Sequence, residues 1–219
     1  MLNCAEDNEA RIVGYVASDL EFSHEVHTEG FYRFIIMSDR LSENKDTIVV
    51  TISERILADV EIPAGTKVEV TGQFRSYNNY SGEGSKLILT LFARDLRISD
   101  DCEKCENEIY LNGYICKPVV YRVTPFGREI ADILVAVNRA YNKSDYIPCI
   151  AWGRNAKFVN TLAVGANIKI WGRMQSREYQ KRVSEDETVT KTAYEVSVSK
   201  LEAVKDVESM EMEGHQVAE

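Results

Sequence analysis

The stretch Pro63-Ala-Gly65-Thr-Lys-Val68-Glu-Val70-Thr-Gly72 returns as Ala163-Val-Gly165-Ala-Asn-Ile168-Lys-Ile170-Trp-Gly172. Further out, Ile12-Val-Gly14-Tyr15-Val16 returns as Leu111-Asn-Gly113-Tyr114-Ile115, and Phe34-Ile-Ile-Met-Ser-Asp-Arg40 as Ile133-Leu-Val-Ala-Val-Asn-Arg139. Ser76, just past Gly72, matches Ser176 past Gly172. The offset holds at 99 to 100 residues throughout. Chance does not keep a register over such a length, so the chain reads as a tandem duplication of one structural unit.

Each unit is β-rich. Val68 and Val70 alternate with Lys67 and Glu69, Ile168 and Ile170 with Lys169 and Trp171, and Tyr194, Val196 and Val198 with Glu195, Ser197 and Ser199. This period of two marks strands with one buried face. A short helical piece is expected at residues 53–59 and again at 155–163, with Ser53 and Asn155 as N-caps. In the second piece Ala156, Val159 and Ala163 share a face that can plug a barrel end. Five short strands with one helix between the third and fourth is the pattern of an OB-fold. The fold class expected is therefore all-β, two tandem OB-fold barrels. Gly65 and Gly165 fall where helix gives way to strand, and Gly72 and Gly172 where a strand bends. The expected division is a first barrel at 1–99, an acidic linker at 100–107, a second barrel at 108–204 and a disordered acidic tail at 205–219.

The net charge of −9 argues against a nucleic-acid binder until it is divided along the chain. Residues 1–99 carry −6, residues 100–108 carry −4, residues 109–204 carry +5 and residues 205–219 carry −4. An electrostatic footprint for phosphates has to be local, and the second unit supplies one. No apolar run approaches the roughly 20 residues that span a bilayer. The first residues lack the basic and apolar regions of a secretory signal, so a cytoplasmic protein without membrane contact is expected. Five scattered cysteines do not make a disulfide framework. Cys102-Glu-Lys-Cys105 is half of a zinc site without a second pair at suitable spacing, and reads as free thiols; no metal or cofactor is expected. Three histidines, none in the second unit, and no phosphate-binding glycine loop leave no catalytic constellation, so an enzyme is not expected.

The second unit resembles bacterial single-stranded DNA-binding proteins. The residues that carry the likeness are Gly113, Thr124-Pro-Phe-Gly127, Leu134-Val-Ala-Val-Asn-Arg139 and Asp145-Tyr-Ile-Pro-Cys-Ile-Ala-Trp152-Gly. Ala156-Lys-Phe-Val159, Val164-Gly165, Trp171-Gly-Arg-Met-Gln-Ser-Arg-Glu-Tyr179 and Ala193-Tyr-Glu-Val-Ser-Val198 continue it, over residues 108–203. The resemblance implies sequence-independent binding of single-stranded DNA, protecting it during replication, recombination or repair. By that likeness the base-stacking rings are Tyr141, Tyr146, Trp152 and Tyr179, each stacked base contributing about 1–3 kcal/mol. Arg139, Arg154, Lys157, Arg173, Arg177, Lys181 and Arg182 would neutralise the intervening phosphates. Trp171, alternating with core-facing Ile170, points outward and is the weaker candidate.

The first unit departs from this pattern. Ser42, Thr47, Ser53 and Asn79 stand where the second unit has its four rings. Tyr77 and Tyr80 are its remaining candidates for touching a strand, and an architectural barrel is the expectation. Two-barrel members of the family commonly pair, so the resemblance also implies a homodimer presenting four OB-folds. The family's acidic tails commonly recruit replication and repair proteins through an apolar tip; here the sequence ends Gln216-Val-Ala-Glu219, acidic but without that tip. The rival reading is a primosome-type or scaffold OB-fold protein acting mainly through protein contacts.

Overall fold

In a computed structural model of the chain, residues 7–40, 44–78, 87–100, 104–182 and 188–204 are described, the side chains of residues 181 and 182 apart. The first half runs β1 (Asn8–Val16), β2 (Glu21–Val26), β3 (Glu29–Asp39), β4 (Lys45–Ser53), α1 (Glu54–Leu57), β5 (Lys67–Asn78) and β6 (Leu87–Ile98). The second repeats it as β7 (Glu106–Ile115), β8 (Val120–Val123), β9 (Glu129–Arg139), β10 (Lys143–Trp152), α2 (Arg154–Val159), β11 (Asn167–Arg182) and β12 (Thr188–Ala203). The strand order is β2-β3-β4-β6-β5-β1-β7-β11-β12-β10-β9-β8, which reads the same from either end once the halves are exchanged. Pairings of β1 with β3 and of β7 with β9 close each half into a barrel. The architecture is two tandem OB-folds.

The five expected strands and the helix are present in each barrel. A short edge strand is added to each, β2 hairpinned onto β3 and β8 onto β9. The first of these hairpins turns through His27 and Thr28, both left-handed (φ 48° and 65°). Two such residues match the twist of a tight hairpin, but His-Thr lacks the Asn-Gly signature that makes one legible in sequence.

Repeat counterparts fill the two cores at matching positions. Ile12 and Leu111, Ile36 and Val135, Val68 and Ile168, Val70 and Ile170, and Phe74 and Met174 are all fully buried. Each such side chain contributes about 1.5–3 kcal/mol of burial. Register shifts fall at Thr71/Gly72 and Trp171/Gly172. A Cβ on Gly72 would lie 2.1 Å from the Phe92 carbonyl oxygen, and one on Gly172 2.2 Å from that of Ser197. The bulge that curls each barrel is therefore closed to any other residue.

Ser53 caps α1 as expected, its Oγ accepting from the Arg55 amide at 3.1 Å. Asn155 does not cap α2. Gly153 (φ 54°) is the N-cap, turning the chain straight from β10 into the helix, and the Asn155 side chain donates to the Ser199 carbonyl at 3.1 Å. Both helices are shorter than the expected pieces. Ala156 and Val159 are fully buried in the barrel end, while Ala163 lies beyond α2 and is exposed. Glu106 and Asn107, assigned by charge to the linker, already stand in β7. Cys4, Ser42, Asn79, Tyr80, Cys102 and the tail from 205 onward lie outside the described residues.

The halves meet edge to edge. β1 and β7 pair antiparallel from Asn8↔Leu111 to Val13↔Glu106, centred on the repeat counterparts Ala10 and Ile109. A pseudo-two-fold axis thus passes through that pair. Away from the axis, Ser176 Oγ accepts from the Thr47 amide at 3.0 Å and Ser76 Oγ accepts from the Tyr146 amide at 2.7 Å. Thr47 and Tyr146, like Ser76 and Ser176, are counterparts, so one crossing contact is made twice.

Candidate nucleic-acid interface

Strand β10 alternates between the core and an outer face, on which Ile150 is itself buried. Asp145, Ile147, Cys149 and Ala151 face inward, which puts Tyr146, Pro148, Ile150 and Trp152 on the outer face. Tyr146 is 48% exposed and Trp152 41%. At about 3.3 Å per residue the two rings stand about 20 Å apart along one strand. Tyr141 lies beyond the other end of this row, at the tip of the β9–β10 hairpin, and is 94% exposed. Its backbone is left-handed (φ 62°), as is that of Asn142 (φ 53°). For a residue with a Cβ that conformation costs about 1–2 kcal/mol, so the turn holds an unsupported ring in solvent against a local penalty.

Tyr179 sits on the β11–β12 arm, 37% exposed. It lines a cavity of about 270 Å³ with Pro148 and Tyr194, and with Val49, Ile88 and Leu89 of the first barrel. Pro148 belongs to the β10 row, so the arm ring and that row meet there. Of the four rings expected from sequence, Tyr146 and Trp152 share the β10 face, Tyr141 stands past its end, and Tyr179 adjoins Pro148 through a cavity that borders the first barrel.

The basic residues divide. Arg154 is exposed at the start of α2. Lys157 is exposed and ion-paired with Glu129 at 3.0 Å. Arg177 stands 58% exposed, 3.8 Å from Glu195. Arg139 and Arg173 instead turn into the joint between the barrels. Arg173 binds Asp46, which Arg40 also holds through Nε at 2.9 Å. Arg139 binds Asp145 at 3.2 Å, and its guanidinium lies 5.8 Å from the Tyr77 ring centre. Tyr77 is thus packed beside the joint. The side chains of Lys181 and Arg182 lie outside the described residues, though their backbone continues β11.

The joint is electrostatically unequal. Asp46 accepts from two arginines, whereas its counterpart Asp145 accepts from Arg139 and from the Ser76 amide at 2.8 Å and leaves Oδ2 without a partner. Burial raises the Asp145 carboxyl above the ordinary aspartate range. Burial likewise lowers the Arg75 guanidinium, which lies 3.8 Å over the Phe92 ring. On β5, beside the β1–β7 seam, Glu69 is held down to about 2 by Arg11 and Arg97. Trp171 lies there too, against Tyr110 at 5.2 Å with Lys200 at 4.3 Å over its ring, which accounts for an outward tryptophan away from the β10 row. Among the described residues no group of three or more His, Cys, Asp or Glu is placed to hold a metal ion. No helix among them is long and apolar enough to cross a membrane.

Of the exposed rings that were not candidates from the sequence, Phe126 is the most exposed at 92% and stands at the tip of the β8–β9 hairpin, ahead of Phe22, Tyr114 and Phe158. The signal was available in Thr124-Pro-Phe-Gly127, a turn motif with an apolar residue at its apex.

Comparison with known proteins bears on the second half. The single-strand binding protein family matches residues 106–204. Single-stranded DNA-binding protein 1 of Staphylococcus aureus is 35% identical over 83 residues, covering 35% of this chain and 50% of that protein. Single-stranded DNA-binding protein A of Bacillus subtilis is 34% identical over 96 residues, 41% of this chain and 56% of that one. The chain thus spans about half the length of these relatives. Of single-stranded DNA-binding protein 3 of Streptococcus agalactiae, 31% identical over 96 residues, it covers 70%. The fold of the whole chain is similar to that of the wild-type single-stranded DNA binding protein from Thermus aquaticus, with TM-score 0.69 at 15% identity, over 91% of this chain and 93% of that one. With the second barrel matched from end to end and the paired-barrel fold shared, the chain belongs to the single-strand binding protein family.

Proposed function

We propose that this chain binds single-stranded DNA without sequence preference, through the outer face of the second barrel. The observation that carries the reading is the β10 row. Tyr146 and Trp152 stand half-exposed on the outer face of a strand whose inward residues complete the core, so each ring keeps a face open to a ligand. Any base offers a π face to such a ring, and the exposed cations Arg154 and Arg177 flank the row. The relatives' names describe single-stranded DNA binding, and the +5 charge of residues 109–204 suits the same ligand. In this reading residues 108–204 do the binding, the barrel at 1–99 is architectural, and residues 205–219 form an acidic tail open to replication or repair partners. The protein acts in the cytoplasm in replication, recombination or repair, as a homodimer with four barrels.

The test is a fluorescence titration of the full chain with oligo-dT at two salt concentrations, with light scattering alongside. Tight binding that weakens with salt, by a log–log slope of about −0.7 per phosphate contact, and a mass twice the 24.8 kDa of the chain are the expected results. Absence of binding at low salt would overturn the reading in favour of an OB-fold scaffold working through protein contacts. A monomer that still bound would overturn the homodimer alone.

A further inference from the structure

The β8–β9 hairpin closes through a rigid turn. The Gly127 amide donates to the Thr124 carbonyl at 2.8 Å, the Thr124 amide donates to the Arg128 carbonyl at 2.8 Å, and the Arg128 amide donates to Thr124 Oγ1 at 3.0 Å. Pro125 occupies the second position, where its fixed φ suits the turn, and Gly127 takes the left-handed position (φ 73°). Phe126 is left at the third position, a site that demands no apolar side chain. At 92% exposure its ring packs against almost nothing, so neither core packing nor turn chemistry explains it. The matching hairpin of the first barrel turns through His27 and Thr28, with no phenyl ring at its tip, its exposed Phe22 lying back along β2.

The hairpin continues the proposed DNA surface. Ile130 pairs with Trp152 on one side and with Arg122 on the other, so Trp152 and Arg122 flank one cross-strand row on the outer face, with Ile130 buried between them. The turn begins just past that row, and at about 3.3 Å per residue its tip lies about 10 Å beyond Trp152. Its cations are Arg128, exposed in the turn, and Arg122, half-exposed and paired with Asp132 at 2.9 Å. Val120 and Val123 are 57% and 58% exposed on β8, so the strand adds apolar surface beside the ring.

We propose that Phe126 is a further base-stacking ring, which carries a bound single strand past Trp152 and around the β8–β9 hairpin. Its ligand is single-stranded nucleic acid, on the exposed Arg128 two residues away and the nearness of the Trp152 strand pair, and the inference rests on the reading of the second barrel given above. Because Pro125 and Gly127 set the turn beforehand, little backbone freedom is lost when a base docks there.

The experiment uses the full chain and fluorescently labelled oligo-dT, read by anisotropy. Phe126→Ala should weaken binding about fivefold, the low end of base–aromatic stacking, with the salt slope and the melting temperature unchanged. Phe126→Trp should restore the parent affinity or exceed it. Parent-like binding by Phe126→Ala, beside weakened binding by Trp152→Ala, would overturn this inference and leave the parent reading standing. Failure of the unmodified chain to bind oligo-dT would overturn both. A fall in solution mass on Phe126→Ala would assign the ring to an interface between copies and overturn the inference by that route.

Discussion

The two barrels agree where the backbone demands it and part where it does not. Asn8 clamps the Phe74 backbone with two hydrogen bonds of 2.8 and 2.9 Å, and Asn107 clamps Met174 with two of 2.6 and 2.9 Å. Gly72 and Gly172 each leave room for one carbonyl oxygen. On the outer face the likeness ends: Thr47 and Ser53 lie in the first barrel where Tyr146 and Trp152 lie in the second. Ser53 is not idle, since it caps α1 and donates to Glu29. The comparison teaches that an outer-face position is free to differ and can serve local structure, as Ser53 does, while cores and bulges stay fixed because a misplaced atom there costs more.

The joint offers the largest effect with which to break this comparison. Asp46→Ala strands Arg40 and Arg173 together and should lower unfolding free energy by about 3 kcal/mol, toward the low end for a broken buried pair, because both arginines keep partial access to water. Asp145→Ala should cost less. Its carboxylate already has an unpaired oxygen, and its raised pKa means the ionised form is a liability at neutral pH that shrinks as pH falls. Equal losses in chemical denaturation would show that the joint is symmetric in energy as well as in shape.

A second pair of substitutions sharpens the contrast between faces. Trp152→Ala should weaken oligo-dT binding by about 1–3 kcal/mol and leave the salt slope alone. Ser53→Ala, at the matching position, should leave binding unchanged and cost about 1 kcal/mol of stability as a lost helix cap. If a well-folded Trp152→Ala chain bound like the parent, the stacking assignment would pass to Tyr141, Tyr146 and Tyr179.

The smallest effect separates two arginines of one strand. Arg177→Ala should make the log–log salt slope shallower by about 0.7, the value for one contact with single-stranded phosphate. Arg173→Ala should leave that slope unchanged and show its loss in thermal unfolding instead, since Asp46 holds the side chain in the joint. Equal slopes for both variants would erase the distinction.

Much of this was legible before any coordinates. A register of 99 to 100 residues, with Gly72 and Gly172 in step, specifies the duplication and the bulges, because backbone close approach admits a single residue type. The four rings were legible as a set, and all four are at least a third exposed. The direction of charge was not: Arg139 and Arg173 counted toward a phosphate footprint, yet both are turned onto buried aspartates, Arg139 within its own barrel and Arg173 across the joint. Composition gives the sign and number of charges, and only the pseudo-two-fold axis decides which of them meet. Asn155 was misread as a cap for a related reason, since Gly153 had already turned the chain. Phe126 escaped notice because periodicity directs attention to strands, and its turn has no period.

The β1–β7 seam has a consequence for how such a molecule can change. Where two identical chains meet about a true two-fold, every substitution arrives twice and must suit both sides of the axis at once. Here the two edges belong to one polypeptide, meeting at an effective concentration on the order of millimolar or above, so the seam forms at any dilution. Each edge can then drift alone: Arg11 lies opposite Glu108, while its repeat counterpart Tyr110 lies opposite Glu9. Covalent linkage releases the halves from symmetry, so each barrel can change its own outer face without imposing the same change on the other.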